Sequence, residues 1–212
     1  MDINAIMIID KIEKQKNKNI YHLYAENAIL MTLTEDTIVK FNIYGGKEIS
    51  QNQLDEIHDY DQTIQCVHQA YRFLSRRAHL VKEIERKLYK KSYSKTTINK
   101  AVAILKEKGY LYDEDFITMY IREEINIKRS GPLLIRKKLM EKGASREQVD
   151  KQIEQLYDEE KQKYNAGKLL IKKQMNKTTV TRTEIQKLQR FLLSKGYGWD
   201  VIHFCLDKYT IE

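Results

Sequence analysis

The sequence has few residues that interrupt a helix: its 212 residues include one proline, Pro132, and only eight glycines. All-β folds and loop-rich enzymes require more turn-forming residues, so this scarcity excludes them and favours a mainly helical chain. The two cysteines, Cys66 and Cys205, are too few for a disulfide framework and fit a reducing cytoplasm. No apolar run reaches the roughly 18–20 residues that span a bilayer, and no signal-peptide core opens the chain. These absences predict a cytoplasmic protein that does not enter a membrane.

Sequence motifs for catalysis or metal binding are missing as well. The five histidines are scattered, and none pairs with a cysteine at the spacing of metal ligands. No nucleophile elbow or dinucleotide fingerprint occurs, and Gly45-Gly46-Lys47 is too short to cradle a phosphate. The run Asp113-Glu114-Asp115 could suggest a magnesium site, but carboxylates at a helix start more often complement the helix dipole. The sequence therefore predicts no enzyme, and no catalytic, metal-binding or cofactor-binding residues.

Charge is abundant and unevenly distributed along the chain. The 38 basic and 30 acidic residues give a net charge of +8. Residues 1–66 hold six basic and eleven acidic residues, a net −5, which leaves 32 basic and 19 acidic residues, a net +13, for residues 67–212. This asymmetry indicates two parts, the larger of which faces an anionic partner. Lysine used only for solubility is the alternative interpretation.

The sequence pattern of residues 1–62 predicts a small mixed α/β extension that contains a β-meander. Residues 20–25 and 28–33 are β-prone runs, and Glu26-Asn27 between them has the composition of a turn. Ile6, Ile8 and Ile12 lie at strand spacing before them. Because a sheet of so few strands is not stable alone, we expect this extension to pack on the helices that follow it.

Two short helices are expected within the same extension. Thr34 has the position of an N-cap for a helix that Gly45-Gly46 ends. Ser50 and Gln53 match a capping box, in which each side chain bonds the other residue's backbone amide, and they open a second helix.

From about residue 63 onward the periodicity is helical, and it repeats. Shifting the chain by 51 and then by a further 53 residues aligns apolar positions in three tandem units, 63–112, 113–160 and 161–212. The aligned triplets are Ile84/Ile135/Leu188, Leu88/Leu139/Leu192, Ile98/Val149/Ile202, Val102/Ile153/Leu206 and Leu105/Leu156/Tyr209. The spacing within each unit places these residues on one helical face. We expect three tandem three-helix repeats in an elongated array whose curvature depends on how the units pack, and such arrays usually bind rather than catalyse.

The ends of the predicted helices carry recognisable boundary residues. Lys91-Ser92-Tyr93 aligns with Lys142-Gly143-Ala144 and Lys195-Gly196-Tyr197, a position where glycine accepts the left-handed backbone that closes a helix. Direct contact of this Lys-Gly position with a partner is the alternative. Pro132 suits the first turn of a helix, and Ser145 with Gln148 matches another capping box.

Three segments resemble signatures of a known family. They are Ser75-Arg76-Arg77 followed by Glu83-Ile84 and Leu88, the run from Gly109 to Phe116, and Gly131-Pro132 followed by Ile135, Leu139 and Lys142-Gly143. The chain resembles the RecX regulatory proteins over essentially its whole length, including an acidic N-terminal extension similar to that of low-GC Gram-positive members. It departs from the pattern at Ile117, where alanine is common, and at a hairpin turn without glycine.

The resemblance implies a modulator of the recombinase RecA in DNA repair, homologous recombination and the SOS response. RecX proteins bind the groove of the RecA filament on single-stranded DNA and reduce its ATPase, strand-exchange and co-protease activities. We accordingly expect a monomer whose partners are the RecA filament and, through auxiliary electrostatic contacts, single-stranded DNA. A helical-repeat nucleic-acid-binding protein without a recombinase partner is the alternative.

Candidate contact residues come from basic clusters that lack compensating acids. Any one cluster could be only a solvated helix face, but arginine can grip phosphate or carboxylate with two hydrogen bonds. The predicted partner-binding or DNA-binding residues are Arg76, Arg77, Arg122, Arg129, Arg136, Lys168, Lys172 and Lys173. Tyr93 and Tyr110, near helix ends, could stack on bases, whereas Tyr71, Tyr120 and Tyr209 fall on predicted apolar faces.

Overall fold

The computed structural model describes residues 6–16, 19–174 and 179–211, and these residues are mainly helical, as expected. They divide into two compact units. Unit 1 contains the described residues up to Ala78 together with Ile84–Leu111, and unit 2 contains His79–Glu83 and the described residues from Tyr112 onward.

Unit 1 combines small antiparallel sheets with long helices. Its strands are β1 (Ile6–Ile8), β2 (Lys11–Lys14), β3 (Ile20–Ala25), β4 (Ala28–Thr34) and β5 (Glu48–Ser50), and its helices are α1 (Glu35–Lys40), α2 (Gln51–Leu74), α4 (Lys95–Glu107) and most of α3 (Val81–Tyr89). The meander β2-β3-β4 and the pair β1-β5 are both antiparallel. Leu23, Leu33, Ile49, Leu54 and Ile57 form the core between these strands and α2.

The predicted hairpin is confirmed, and its turn explains how it works without glycine. Glu26 and Asn27 have φ angles of 51° and 62°. Two consecutive left-handed residues are the signature of the type I′ turn, whose twist matches that of the flanking strands.

The predicted end of α1 is wrong. The helix stops at Lys40, before the glycine pair that was expected to end it, and Asn42 has a left-handed backbone with φ of 46°. Asparagine tolerates this conformation better than most residues, so the chain turns before it reaches Gly45.

Helix α2 begins at the expected capping box. The amide of Gln53 donates to Ser50 Oγ at 3.4 Å, and the amide of Ser50 donates to Gln53 Oε1 at 2.9 Å. The helix then runs without interruption for 24 residues, so the predicted boundary at residues 62 and 63 falls inside it.

Unit 2 is built from helices that are joined by short connections. They are α5 (Asp113–Glu123), a π-helical turn (Glu124–Lys128), α6 (Pro132–Lys142), α7 (Arg146–Leu156), α8 (Glu159–Gln174), α9 (Arg182–Ser194) and α10 (Trp199–Leu206). Two strands, β6 (Thr179–Val180) and β7 (Thr210–Ile211), form a short parallel pair. This pair was not expected, because two residues are too few to show a period.

The repeat alignment is confirmed by burial. Every aligned position in the middle helices α3, α6 and α9 is buried, with the side chains at most 1% exposed. The aligned positions of the third helices α4, α7 and α10 are buried except for Leu156, which is half-buried. Tyr209, aligned with Leu105 and Leu156, lies three residues after the end of α10 and is half-buried against the same core as Leu156. The three-helix groups are therefore α2–α4, α5–α7 and α8–α10.

The middle helices end as predicted, in left-handed residues. The φ angles are 65° at Ser92, 102° at Gly143 and 84° at Gly196. The Ser145 capping box, by contrast, is wrong, because the Ser145 side chain makes no hydrogen bond to the start of α7.

Within unit 2, the end of α9 lies against the start of α6. The Gly131 amide donates to Lys195 O at 2.7 Å, and the Leu133 amide donates to Gly196 O at 3.0 Å. A Cβ atom at Gly131 would lie 2.3 Å from Gly196 O, so only glycine permits this approach. The glycine of the Gly131-Pro132 pair is thus required by packing between successive repeats.

Candidate protein and nucleic-acid interface

In unit 1, the end of α2 presents the first two predicted contact residues. Arg76 and Arg77 lie in the turn that follows the helix, and both are exposed. Cations placed there complement the negative end of the helix dipole. Arg77 Nη1 donates to Ala78 O at 2.9 Å, which fixes part of its guanidinium beside the turn.

The two tyrosines proposed for base stacking have other surroundings. Tyr110 is exposed, but its ring meets Tyr71 edge to face with the centroids 5.0 Å apart. Tyr93 is half-buried, and burial raises the pKa of its hydroxyl. Tyr110 is therefore the more accessible of the two rings.

A cleft of about 1450 Å³ opens in unit 1 between the sheet and helices α1 and α2. Apolar and polar side chains both line it, and its charged residues are of both signs, Glu35 and Asp36 as well as Lys40 and Arg72. His68 Nε2 lies 3.2 Å from Asp36 Oδ2 across it. No sequence motif indicates this cleft, because α1, α2 and the sheet each contribute to it.

In unit 2, the predicted arginines differ in what they contact. Arg122 is exposed on α5. Arg129 has φ of 50°, and its carbonyl accepts a hydrogen bond of 2.7 Å from the Tyr197 hydroxyl, so its backbone has a structural role. Arg136 is paired with Asp150. Arg122 is the most accessible of these three, because Arg129 and Arg136 are both half-buried.

The Arg136–Asp150 pair links α6 to α7. A second arginine, Arg146, lies 3.5 Å from the other carboxylate oxygen of Asp150. The hydrogen bond from Arg136 holds the pKa of Asp150 below its usual range. A phosphate would have to compete with this carboxylate for the Arg136 guanidinium.

Helix α8 brings together the predicted lysines Lys168, Lys172 and Lys173. Lys168, Lys172 and Lys173 are all exposed. Lys168 Nζ lies 5.3 Å from the ring centroid of Tyr164, and Lys173 Nζ lies 4.1 Å from that of Phe191. Ammonium groups at these distances are attracted to aromatic faces without being neutralised. The helix thus displays positive charge beside aromatic rings.

A buried carboxylate that the sequence analysis missed organises the π-helical turn. Glu124 is fully buried and accepts hydrogen bonds from Ser130 Oγ at 2.7 Å, Lys138 Nζ at 2.8 Å and Lys128 Nζ at 3.0 Å. Burial opposes its ionisation, but these three donors prevail and lower the pKa of Glu124 to about 2. The sequence does contain a signal for this residue: Glu124 is an acid on the apolar helix face that Ile117 and Ile121 form.

A second buried network joins the middle and last repeats. Tyr197 donates to Arg129 O, so the hydroxyl of Tyr157, 3.2 Å away, donates to Tyr197. Asn165 Nδ2 donates to Ile125 O at 3.0 Å and to the Tyr157 hydroxyl at 3.3 Å. Every polar group in this chain of bonds has a partner, which favours one fixed packing of the repeats in unit 2.

The described ranges 6–16, 19–174 and 179–211 contain no group of three side chains suited to hold a metal ion. No helix within them combines the length and the apolar character that crossing a membrane requires. What unit 1 and unit 2 both display is exposed basic side chains on three-helix repeats.

This combination defines a class of protein, a tandem three-helix-repeat protein with basic surfaces. Two family models match the chain: RecX, first three-helix domain, at residues 66–105, and RecX, third three-helix domain, at residues 159–206. The chain is 31% identical over 199 residues to the regulatory protein RecX of Clostridium botulinum (strain Alaska E43 / Type E3), covering 92% of each. It is 32% identical over 204 residues to that of Clostridium tetani, covering 94% of this chain and 93% of the relative. The chain belongs to the RecX family of regulatory proteins.

Solved structures agree with this assignment. A crystal structure of a regulatory protein RecX matches with a TM-score of 0.74 and 26% identity, covering 95% of this chain and 99% of that one. The crystal structure of RecX from Lactobacillus salivarius matches with a TM-score of 0.62 and 22% identity, covering 70% and 97%, and shares the fold. The family resemblance drawn from the sequence motifs is thus confirmed.

Proposed function

We propose that this protein binds the RecA filament on single-stranded DNA and restrains the ATPase, recombinase and co-protease activities of RecA. The observation that carries the proposal is membership of the RecX family over more than nine-tenths of the chain. In this proposal the protein is a cytoplasmic monomer that acts by binding and has no catalytic activity of its own.

The repeat organisation suits a filament as a partner. A filament presents the same site many times beside a continuous phosphate backbone. Three tandem units, 63–112, 113–160 and 161–212, can each make a weak contact, and linked weak contacts gain affinity from their high effective concentration.

The charge distribution suits the DNA that the filament contains. A net +13 on residues 67–212 steers association toward an anionic partner and makes binding weaker at high salt. Residues 1–66, with a net −5, are unsuited to contacting DNA. The candidate contact residues are Arg76, Arg77, Arg122, Lys168, Lys172 and Lys173, with Arg129 and Arg136 restricted by their structural contacts.

The test is a RecA ATPase assay on single-stranded DNA with increasing amounts of this protein. The proposal predicts inhibition at amounts well below those that coat the DNA, because one bound molecule restrains a filament of many protomers. Inhibition only when the DNA is saturated would contradict it and indicate competition for DNA.

Nucleic-acid binding without a recombinase partner is the second candidate function. The lysines of α8 from Lys161 onward favour it, because they form a basic surface independent of any protein partner. It predicts that this protein displaces an unrelated single-strand-binding protein from DNA as effectively as it inhibits RecA. Inhibition of RecA alone would contradict it.

A further inference from the structure

Helix α8 carries a stripe in which lysines alternate with two large apolar side chains. Lys161, Tyr164, Lys168, Ile171 and Lys172 follow one another at helical spacings of three, four, three and one, so they share one face. Tyr164 is 62% exposed and Ile171 is 52% exposed, and Lys161 and Lys172 are exposed as well. We call these five residues the α8 stripe.

In the part of the chain that the structure describes, the lysines of the α8 stripe are not paired with carboxylates. Within the described ranges, the ammonium groups of Lys161 and Lys172 form no ion pair, and that of Lys168 lies over the Tyr164 ring at 5.3 Å. Three acidic residues lie at the start of the helix. Asp158 Oδ1 accepts a hydrogen bond of 2.8 Å from the Lys161 amide, and Glu159 and Glu160 are paired with Lys163 at 2.9 Å and 3.0 Å. Three cations are therefore available to an anionic partner along one helix face.

Gly167 adds an independent observation at one edge of the stripe, beside Tyr164 and Ile171. It lies three residues after Tyr164 and four before Ile171, on the same side of the helix. Glycine destabilises helix interiors, yet no residue packs against this one: a Cβ atom there would meet nothing within 4 Å, and its φ is not positive. Neither packing nor backbone geometry requires glycine here, and its effect is a gap beside the Tyr164 ring.

We propose that the α8 stripe is a stacking site for single-stranded DNA, in which a nucleobase lies on the Tyr164 ring over Gly167 while Lys161, Lys168 and Lys172 contact the flanking phosphates. An exposed aromatic face combined with cations that track the backbone is the general mode of sequence-independent single-strand binding. The inference rests on the proposed function, of which it specifies the DNA contact.

Other exposed aromatic residues of unit 2 are less suitable. Among the described residues, two ammonium groups already lie near the Phe204 ring, Lys163 at 4.4 Å and Lys208 at 5.0 Å, whereas one lies near Tyr164. Trp199 leans on His203, with the ring centroids 5.5 Å apart, and exposed Asp200 lies beside it. A phosphate near Trp199 would meet a carboxylate, whereas one near Tyr164 would meet lysines.

The first experiment measures binding of the full chain to oligo(dT) by fluorescence anisotropy, without RecA, over a range of salt concentrations. Y164L keeps an apolar side chain and the lysines but removes the aromatic face, and it should weaken binding about fivefold or more with an unchanged salt slope. The triple variant K161Q/K168Q/K172Q should reduce the slope of log K against log salt by about 2. Y44L is the matched control, since Tyr44 is similarly exposed in the acidic extension, and its affinity should equal that of the wild type.

Two further measurements separate stacking from a general structural effect. G167L fills the gap with a better helix former, so it should weaken DNA binding without lowering the melting temperature. An abasic strand offers phosphates without bases, so the wild type and Y164L should bind it equally. In a W199F background, which removes the single tryptophan, Y164W should give fluorescence that oligo(dT) quenches.

Equal affinity of the wild type and Y164L for oligo(dT) would overturn the inference. It would also be overturned if Y164L lost as much affinity for the abasic strand as for oligo(dT). If Y164L bound oligo(dT) normally but bound RecA filaments poorly, the stripe would be a protein contact and the inference would also be wrong. Because the oligo(dT) and abasic-strand assays omit RecA, a negative result in them leaves the RecA ATPase result unchanged. Conversely, failure of the wild type to inhibit RecA would contradict the proposed function whatever Y164L does.

Discussion

Asp61 of α2 accepts two hydrogen bonds from Thr34, one from its backbone amide and one from its hydroxyl, each 2.8 Å long. The hydroxyl of Thr37 donates to the same carboxylate oxygen at 2.7 Å, and Gln65 donates to the other at 2.7 Å. Thr34 begins α1 without capping it by its own side chain, because its hydroxyl is directed to Asp61. One buried carboxylate thus joins the end of β4 and the start of α1 to the helix that opens the first repeat.

Replacing Asp61 should destabilise unit 1 strongly. In D61A the Thr34 amide and the two threonine hydroxyls lose their acceptor in a buried site, and each unsatisfied group costs about 1–3 kcal/mol. We expect a loss of about 3 kcal/mol or more in the free energy of urea unfolding. D59A is the matched control on the same helix, since Asp59 forms only an exposed pair with Lys100 worth up to about 1 kcal/mol. Equal effects of the two variants would contradict the anchoring role of Asp61.

The Glu124 cluster predicts a specific dependence of stability on pH. The pKa of Glu124 falls from an ordinary value of 4.5 to about 2 in the folded protein, so ionised Glu124 stabilises the folded state above the unfolded pKa. This contribution is lost as the pH falls from about 4.5 to 2. E124Q should therefore be destabilised by about 3–5 kcal/mol at pH 7, because the Lys128 and Lys138 ammonium groups lose their carboxylate.

The difference between the wild type and E124Q should narrow as the pH is lowered toward 2, measured by denaturant unfolding at each pH. E123Q is the matched control, because Glu123 pairs with Lys128 at 2.9 Å but is exposed. A wild-type-to-E124Q difference that stays constant between pH 7 and pH 3 would show that Glu124 is not the titrating group.

The close approach of α9 to α6 gives a test of how the repeats of unit 2 pack. G131A places a methyl group 2.3 Å from Gly196 O, a backbone atom that cannot move aside. We expect a loss of about 2–3 kcal/mol in the free energy of unfolding from the strain of overpacking. G167A, with open space around it, should instead gain up to about 1 kcal/mol. If G131A left the free energy of unfolding unchanged, the end of α9 and the start of α6 would separate readily.

Much of this fold follows from local patterns in the sequence. The three-helix repeats were predictable because Ile84, Ile135 and Leu188 occupy the same buried position in successive repeats. The spacing of apolar residues along a helix indicates which face is buried. The hairpin and the α2 capping box were predicted because a few adjacent residues determine them. The end of α1 was mistaken because Asn42 adopts a conformation that the sequence only permits.

The interactions that the sequence did not reveal involve residues far apart in the chain. Asp61 meets Thr34 across 27 positions, and Tyr157 meets Tyr197 across 40. For the candidate site, exposure of most of the lysines was predictable from charge, but pairing of Arg136 with Asp150 was not. An acid within an apolar stripe, as at Asp61 and Glu124, is the sequence signal that such a buried partner exists.

The candidate arginines should separate into contact and structural residues. Arg136 is paired with Asp150, so R136A should lower the free energy of unfolding by up to about 1 kcal/mol while RecA inhibition changes little. Arg122 is exposed on α5, so under the proposed function R122E should raise the amount needed for half-inhibition of RecA ATPase a few-fold without changing stability. Urea unfolding and the ATPase assay on the same preparations make the comparison. If R136A relieves inhibition and R122E does not, Asp150 releases Arg136 to the filament, and the contact surface lies along α6 rather than α5.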